Sequence, residues 1–254
     1  MSDFSESLNG RVAIVTGGGQ GIGRRLAHRL AEAGAIPVIA EHNAETGRAV
    51  ASEIGDNRAI FIQTDVADMA SLEAMAKTVM DRFGRIDILI NNAGIFSTLE
   101  MRPFWQIPLD EWDRVMRVNA TGPFLATRAV LPAMMQAKSG RIVHISSAAV
   151  TMGRPNYLHY ITSKSALIGM THSMARELGT HGIIVNAVMP GATITEIERK
   201  ALTPQQKAAI VANQCVRREA GPDDIVGAVL FLCSDAGRWV VGQCLTADGG
   251  NVHR

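Results

Sequence analysis

The chain has 254 residues, 47% hydrophobic and 19% charged, with a formal net charge of +1. That length suits a single α/β domain over residues 1–254 with a large core, and the near-zero charge, without a Lys or Arg run, argues against a nucleic-acid or anionic-membrane surface. Cys215, Cys233 and Cys244 are too few and too scattered for a disulfide framework or a CxxC metal site, so no metal is expected; with no basic-apolar leader and no bilayer-length apolar run, a cytoplasmic protein acting on small molecules is expected.

Residues 11–16 (RVAIVT) are a β-branched run that ends in glycines, and the amphipathic GIGRRLAHRLAEAG follows. Strand, tight turn and helix are predicted, with Gly34 closing the helix. In the turn TGGGQGIG, glycines 17, 21 and 23 allow close backbone approach, and the helix N-terminus favours an anion such as a pyrophosphate. Gly17, Gln20, Gly21, Ile22 and Gly23 are therefore candidate cofactor contacts; the other reading is a glycine-rich loop without a ligand.

A second run (36–40) reaches Glu41, about twenty residues beyond the turn, where a dinucleotide fold places an acid against the adenosine ribose hydroxyls. A carboxylate there would repel a 2′-phosphate, and residues 42–44 hold no Arg or Lys, so NAD is favoured over NADP. The alternative is a solvated loop residue. A helix over 44–53 and a strand over 58–63 follow, then Asp65-Val66, whose acid suits an adenine amino group. Asp68 with Ser71 suits the start of a helix over 71–83, ended by Gly84. Residues 86–90 are almost wholly apolar, as a central parallel strand requires, and run into Asn91-Asn92-Ala93-Gly94.

Segment 95–113 is apolar and aromatic and follows a strand's carboxyl end, where open α/β sheets bind ligands. Phe96, Phe104 and Trp105 are candidates to line or cover a substrate pocket, whereas Trp112 reads as helix packing. Helices over 110–120 and 121–137 precede a strand over 141–146, in which His144 reads as a satisfied core histidine. Ser147 follows, and Tyr160 and Lys164 stand four apart. On a helix that spacing puts them one turn apart on one face, where a fixed cation helps a phenol ionise and act as general acid or base. Taken alone, the pair could equally be a packed ring and a solvated amine. A strand over 183–188 leads to Pro190-Gly191, residues 196–218 turn polar with a capping box at Thr203 and Gln206, and a helix over 222–233 and a strand over 243–246 close the chain.

In their order and spacing, TGGGQGIG, Asp65-Val66, NNAG, Ser147 thirteen residues before Tyr160, and Lys164 resemble the short-chain dehydrogenase/reductase family along almost the whole chain. The resemblance implies a single Rossmann-type doubly wound, mainly parallel seven-stranded sheet with helices on both faces. It implies that Thr16 and Asn91 to Gly94 brace the cofactor turn, with Asn92, Ala93 and Gly94 at the cofactor, and that Asn119 completes a catalytic set with Ser147, Tyr160 and Lys164. Pro190 and Gly191 would pass beside a nicotinamide, Thr193 hold its carboxamide and Thr195 approach the phosphates. A mobile lid at about 192–218 and a homo-oligomer, a tetramer built on helix 121–137 and the helix beginning near Tyr157, also follow from it.

The implied reaction is hydride transfer between NAD(H) and a secondary alcohol or ketone, with Tyr160 as general acid/base. Phe96, Trp105, Ser147, Ala149, His159 and Tyr160 are the candidate substrate contacts, and Val150, Met152 and Arg154 are also expected to shape selectivity. HYITSK, HGIIVN and DGGNVHR are similar to NAD-linked alcohol dehydrogenases of the phenylethanol dehydrogenase type. A 3-oxoacyl carrier-protein reductase and a sugar or polyol dehydrogenase are the alternatives, with a non-catalytic NAD-binding regulator a further one.

Overall fold

The structure is a computed structural model that describes residues 6–55, 57–197 and 203–253. Within these residues, β1 (Val12–Thr16), β2 (Ile36–Glu41), β3 (Ile60–Gln63), β4 (Ile88–Asn91), β5 (Gly140–Ile145), β6 (Ile183–Pro190) and β7 (Cys244–Ala247) form one sheet ordered β3-β2-β1-β4-β5-β6-β7. Every neighbouring pair is parallel. The order reverses between β1 and β4, and that switch point opens a crevice at the strands' carboxyl ends.

The intervening helices are α1 (Gly21–Glu32), α2 (Ala44–Ile54), α3 (Met69–Phe83), α4 (Leu109–Met116), α5 (Gly122–Ala137), α6 (Ala149–Met152), α7 (Leu158–Leu178), α8 (Pro204–Asn213) and α9 (Asp223–Cys233). Side chains alternate across a strand, so β1 feeds two cores. Val12 and Ile14 pack in a cluster with α3, α5 and α7 residues such as Met75, Met134 and Leu178. Ala13 and Val15 join Leu26 and Leu30 of α1 and Val229 and Leu232 of α9 on the other face. Burial on both faces is why these strands read as continuous apolar runs rather than alternating ones.

The local signals act largely where they stand in the sequence. The Asp68 carboxylate caps α3 by accepting from the Ala70 and Ser71 N–H groups, and Gly84 ends that helix with φ of 68°. The capping box of Thr203 and Gln206 opens α8. Several boundaries move by one or two residues: β3 starts at Ile60 and β4 at Ile88, each two residues later than predicted, α3 starts at Met69, β6 runs on to Pro190, and β5 and β7 are shifted to Gly140–Ile145 and Cys244–Ala247. The predicted break between helices near residue 120 is instead a π-helical turn, Arg117–Thr121, joining α4 to α5. Such turns insert one residue into a helix and re-aim its side chains; this one carries Asn119. It also brings Gly122 against Val66, where an added Cβ would sit 3.1 Å from Val66 Cγ2.

His144 requires a correction. It is fully buried, and its Nδ1 lies 3.1 Å from Asn91 Nδ2, but Nε2 has no hydrogen-bond partner. Burial first, and then the Lys164 charge, push its pKa down to about 4. Between the ordinary value of 6.5 and about 4, the unfolded chain accepts a proton that the folded chain refuses. Stability should therefore fall through that window as pH drops, by up to roughly 3 kcal/mol. Urea titrations across it should show the loss, and His144→Leu should flatten it.

Candidate active site

The glycine turn between β1 and α1 is held by the neighbouring strand. Thr16 Oγ1 accepts from the N–H groups of Asn92 (3.0 Å) and Ala93 (3.1 Å), while Asn92 Nδ2 donates to Thr16 O and Gly17 O, both at 3.0 Å. Two glycines are fixed by this packing. A Cβ on Gly17, whose φ is +63°, would lie 2.8 Å from Ala93 Cα, and one on Gly23 would lie 2.0 Å from Gly17 O. Any side chain at either position would separate the turn from β4.

Glu41, at the end of β2, is not a solvated loop residue. It is 9% exposed, and its Oε2 accepts from Gly19 N at 3.0 Å while Oε1 accepts from Asn43 N at 3.1 Å. The carboxylate thus ties β2 to the glycine turn and also faces the cleft. At the end of β3, Asp65 Oδ1 accepts from Ala67 N at 2.8 Å, and Asp65 N donates to Ser71 Oγ at 2.9 Å.

The other half of the site is built on β5 and α7. Tyr160 and Lys164 both lie in α7 and so are one turn apart. Lys164 is buried; its Nζ donates to Ile145 O at 2.8 Å and lies 6.0 Å from the Tyr160 ring centre. Desolvation lowers its pKa to about 8. Ser146 Oγ donates to Lys164 O at 2.8 Å, clamping α7 to the strand end. Ser147, 8% exposed, accepts from Ala149 N at 3.2 Å. Phe96 stacks on Tyr160 with ring centres 4.4 Å apart.

One cleft of about 660 Å³ runs along the strand ends and joins the two halves. Its walls include Gly17, Gln20, Gly21, Ile22, Gly23, Glu41, Asp65, Val66, Asn92, Ala93, Gly94, Pro190, Gly191, Thr193 and Thr195 on one side of the chemistry, and Phe96, Ser147, Ala149, Tyr160 and Lys164 on the other. Asn119 lies one layer behind. Its Oδ1 accepts from Ile95 N at 2.7 Å, and its Nδ2 donates to Ile95 O at 3.0 Å and Ser163 Oγ at 3.2 Å. In this arrangement it positions the segment after β4 against α7.

Four residues expected at the substrate end, Phe104, Trp105, Val150 and His159, lie outside the cleft lining, Phe104 being 62% exposed. Trp105 sits on a 3-10 turn, 72% exposed and edge-on to Phe104 at 5.2 Å, outside the cleft wall. His159 is fully buried with Nε2 3.3 Å from Glu111 Oε1 on α4, in contact but not aligned as a hydrogen bond. The reason is geometric: adjacent helix residues point about 100° apart, so α7 cannot aim both Tyr160 and His159 into one cleft.

The cleft also contains residues with no local signal in the sequence. Asn251 reaches it from the C-terminal segment, held by Asp248, whose carboxylate accepts from the Gly250, Asn251 and Val252 N–H groups. Glu196 Oε1 accepts from Gly21 N at 2.8 Å, so a carboxylate stands at the start of α1, where the exposed N–H groups and helix dipole favour negative charge. That contact shows that the turn accepts an anion, and the glycine turn, the acid at 41 and the cleft together fit a dinucleotide. Tyr157, buried in the cleft wall, is the N-cap residue of α7. Of the expected lid, 198–202 lie outside the described residues; Thr195, Ile197 and Ile210 line the cleft. Among the described residues no group of three or more His, Cys, Asp or Glu could hold a metal, and no helix is long and apolar enough to cross a membrane.

A nucleotide-type turn, a tyrosine and a lysine one helical turn apart, and a serine at the neighbouring strand end all line one crevice. A family model described as short chain dehydrogenase matches residues 11–206; the chain belongs to this family and is an oxidoreductase. It is 39% identical over 245 residues to the 3-oxoacyl-[acyl-carrier-protein] reductase FabG of Vibrio harveyi, covering 96% of this chain and 98% of that protein. It is 37% identical over 250 residues to D-threitol dehydrogenase of Mycolicibacterium smegmatis, covering 98% and 95%. The crystal structure of 3-ketoacyl-(acyl-carrier-protein) reductase from Brucella melitensis complexed with NADH superposes with a TM-score of 0.90 at 31% identity, covering 96% of this chain and 99% of that one.

Proposed function

We propose that the protein interconverts a secondary alcohol and a ketone with NAD(H). The observation that carries this reading is the buried Lys164 one turn beyond Tyr160, with both residues and Ser147 facing the cleft that begins at the glycine turn. The glycine turn would hold the pyrophosphate, Glu41 the adenosine ribose, Asp65 and Val66 the adenine, and Pro190, Gly191 and Thr193 the nicotinamide end. When bound, the nicotinamide supplies the hydride acceptor or donor.

The chain's own residues handle the proton. In oxidation, Tyr160 as phenolate takes the hydroxyl proton; in reduction, the phenol returns it to the carbonyl oxygen. Lys164, when charged, favours the phenolate, Ser147 hydrogen-bonds the substrate oxygen, and Asn119 keeps Ile95 and Ser163 in register around them. Phe96 and Tyr157 make the substrate end apolar, which suits an alkyl or aryl ketone of the phenylethanol type.

A second reading has specific support. The Vibrio relative and the Brucella structure are both carrier-protein reductases, which favours ketoreduction of a 3-oxoacyl thioester; the threitol relative supports a polyol. We also propose a homo-oligomer, a tetramer, because Phe124 and Met135 on α5 and Leu158 on α7 stand 36–42% exposed.

Two outcomes test this reading. Tyr160→Phe should lower kcat by about 10²–10⁴-fold while leaving dinucleotide affinity, read by fluorescence titration, nearly unchanged; near-normal turnover would overturn the acid/base assignment. Wild-type protein should prefer NAD(H) to NADP(H), and Glu41→Gln, which removes the charge but keeps the shape, should narrow that ratio by about tenfold, equivalent to ~1.4 kcal/mol of lost repulsion. An NADP(H) preference in the wild type would favour the thioester reading.

A further inference from the structure

The cleft has two arginines in its lining, Arg114 on α4 and Arg154 just after α6. Arg154 lies in its wall between Ser147 and Tyr160. Its backbone is tightly constrained: Gly153, with φ of +60°, turns the chain at the end of α6, Arg154 N donates to Ala149 O at 3.3 Å, and the following Pro155 disfavours helical backbone at Arg154. The guanidinium lies 5.1 Å from the centre of the Tyr157 ring. Tyr157 packs on Phe96 at 5.5 Å, and Phe96 packs on Tyr160 at 4.4 Å, which puts the cation on the substrate side, two rings from the catalytic phenol.

Among the described residues this guanidinium has no hydrogen bond and no acidic partner, whereas Arg24, Arg85 and Arg218 are each paired with a carboxylate. The acids that line the cleft, Glu41 and Asp65, stand at the far end, at the tips of β2 and β3. Asn251 also lines the cleft. Its Nδ2 faces only the Met152 sulfur, at 3.3 Å, which is a weak acceptor. The cleft thus offers a planar array of donors held over a ring, with no acidic partner among the described residues, which is the chemistry that recognises an oxyanion bidentately.

We propose that Arg154 anchors an anionic group on the substrate, remote from the carbon that is oxidised or reduced, so that the substrate class is an oxo or hydroxy acid or its phosphate-bearing equivalent. This rests on the alcohol and ketone chemistry proposed above and narrows it. A carboxylate on a small keto acid and a phosphate on the arm of a longer thioester present the same chemistry to the guanidinium. Because the contact is equal in ground and transition states, its removal acts on KM more than on kcat.

The test pairs a graded series of keto acids with their methyl esters, and a 3-oxoacyl thioester with and without a phosphate on its pantetheine arm. All are assayed with NADH and NADPH on wild-type, Arg154→Gln and Arg154→Lys proteins. The wild type should favour the charged member of one pair by about tenfold or more in kcat/KM; Arg154→Gln should erase a preference of about ten- to a hundredfold through KM, as expected for a charge-assisted hydrogen bond, and Arg154→Lys should restore part of it. Preference in the keto-acid arm alone assigns a carboxylate, and in the thioester arm alone a phosphate. A charged-to-neutral ratio near one in the wild type, or one unchanged in Arg154→Gln, overturns the anchor while leaving the redox reading intact. If no compound is turned over, the redox reading fails, and calorimetric titration of the same acids decides the anchor: tighter binding to wild type than to Arg154→Gln supports it, and equal or absent binding overturns it.

Discussion

The site depends on burying one ammonium. Lys164 Nζ gives one hydrogen bond, to Ile145 O at 2.8 Å, and burial alone lowers its pKa from 10.5 to about 8. A folded pKa below the unfolded one means that stability rises with pH between about 8 and 10.5 and that the charged form at neutral pH costs roughly 3 kcal/mol. The Ser146 hydroxyl on Lys164 O clamps α7 to β5 and so holds the lysine in place. The result is a cation fixed beside Tyr160 instead of one swinging in solvent, which is the form in which it can bias a phenol's ionisation.

That clamp needs the sheet to end at the right level. Five parallel pairings bring the carboxyl ends of β1 through β6 to one edge, and the reversal between β1 and β4 leaves the crevice there. Thr16 and Asn92 then knit the β1 turn to the end of β4. The glycine turn and the Tyr160–Lys164 pair face one cleft as two consequences of one register. The π-helical turn at Arg117–Thr121 adds the third fixed point, since it lets Asn119 reach both the segment after β4 and α7.

Much of this was legible in the sequence because it is local. A glycine turn between a β-branched run and an amphipathic helix, Asp68 at a helix start, and Tyr160 four before Lys164 each act over one or two turns of chain. Long-range geometry was not legible. Nothing near Glu196 signals its contact with Gly21, 175 residues away, nor does the tail announce that Asn251 enters the cleft. His159 and Trp105 were misplaced for a related reason: residue type suggested a pocket, but helix phase turned His159 toward Glu111, and the 3-10 turn carried Trp105 to the surface. His144 shows the same limit, since an apolar strand reveals burial but not whether both ring nitrogens find partners.

The most direct test of the central claim follows the hydrogen itself. The protein is incubated with NADH or NADPH carrying deuterium at the transferable position and a mixture of ketones, keto acids and oxoacyl thioesters, and the products are read by mass spectrometry and NMR. The account predicts one deuterium on the carbinol carbon of at least one product, with the hydroxyl proton drawn from solvent. A protein that binds the dinucleotide yet places deuterium on no product from either cofactor would contradict it.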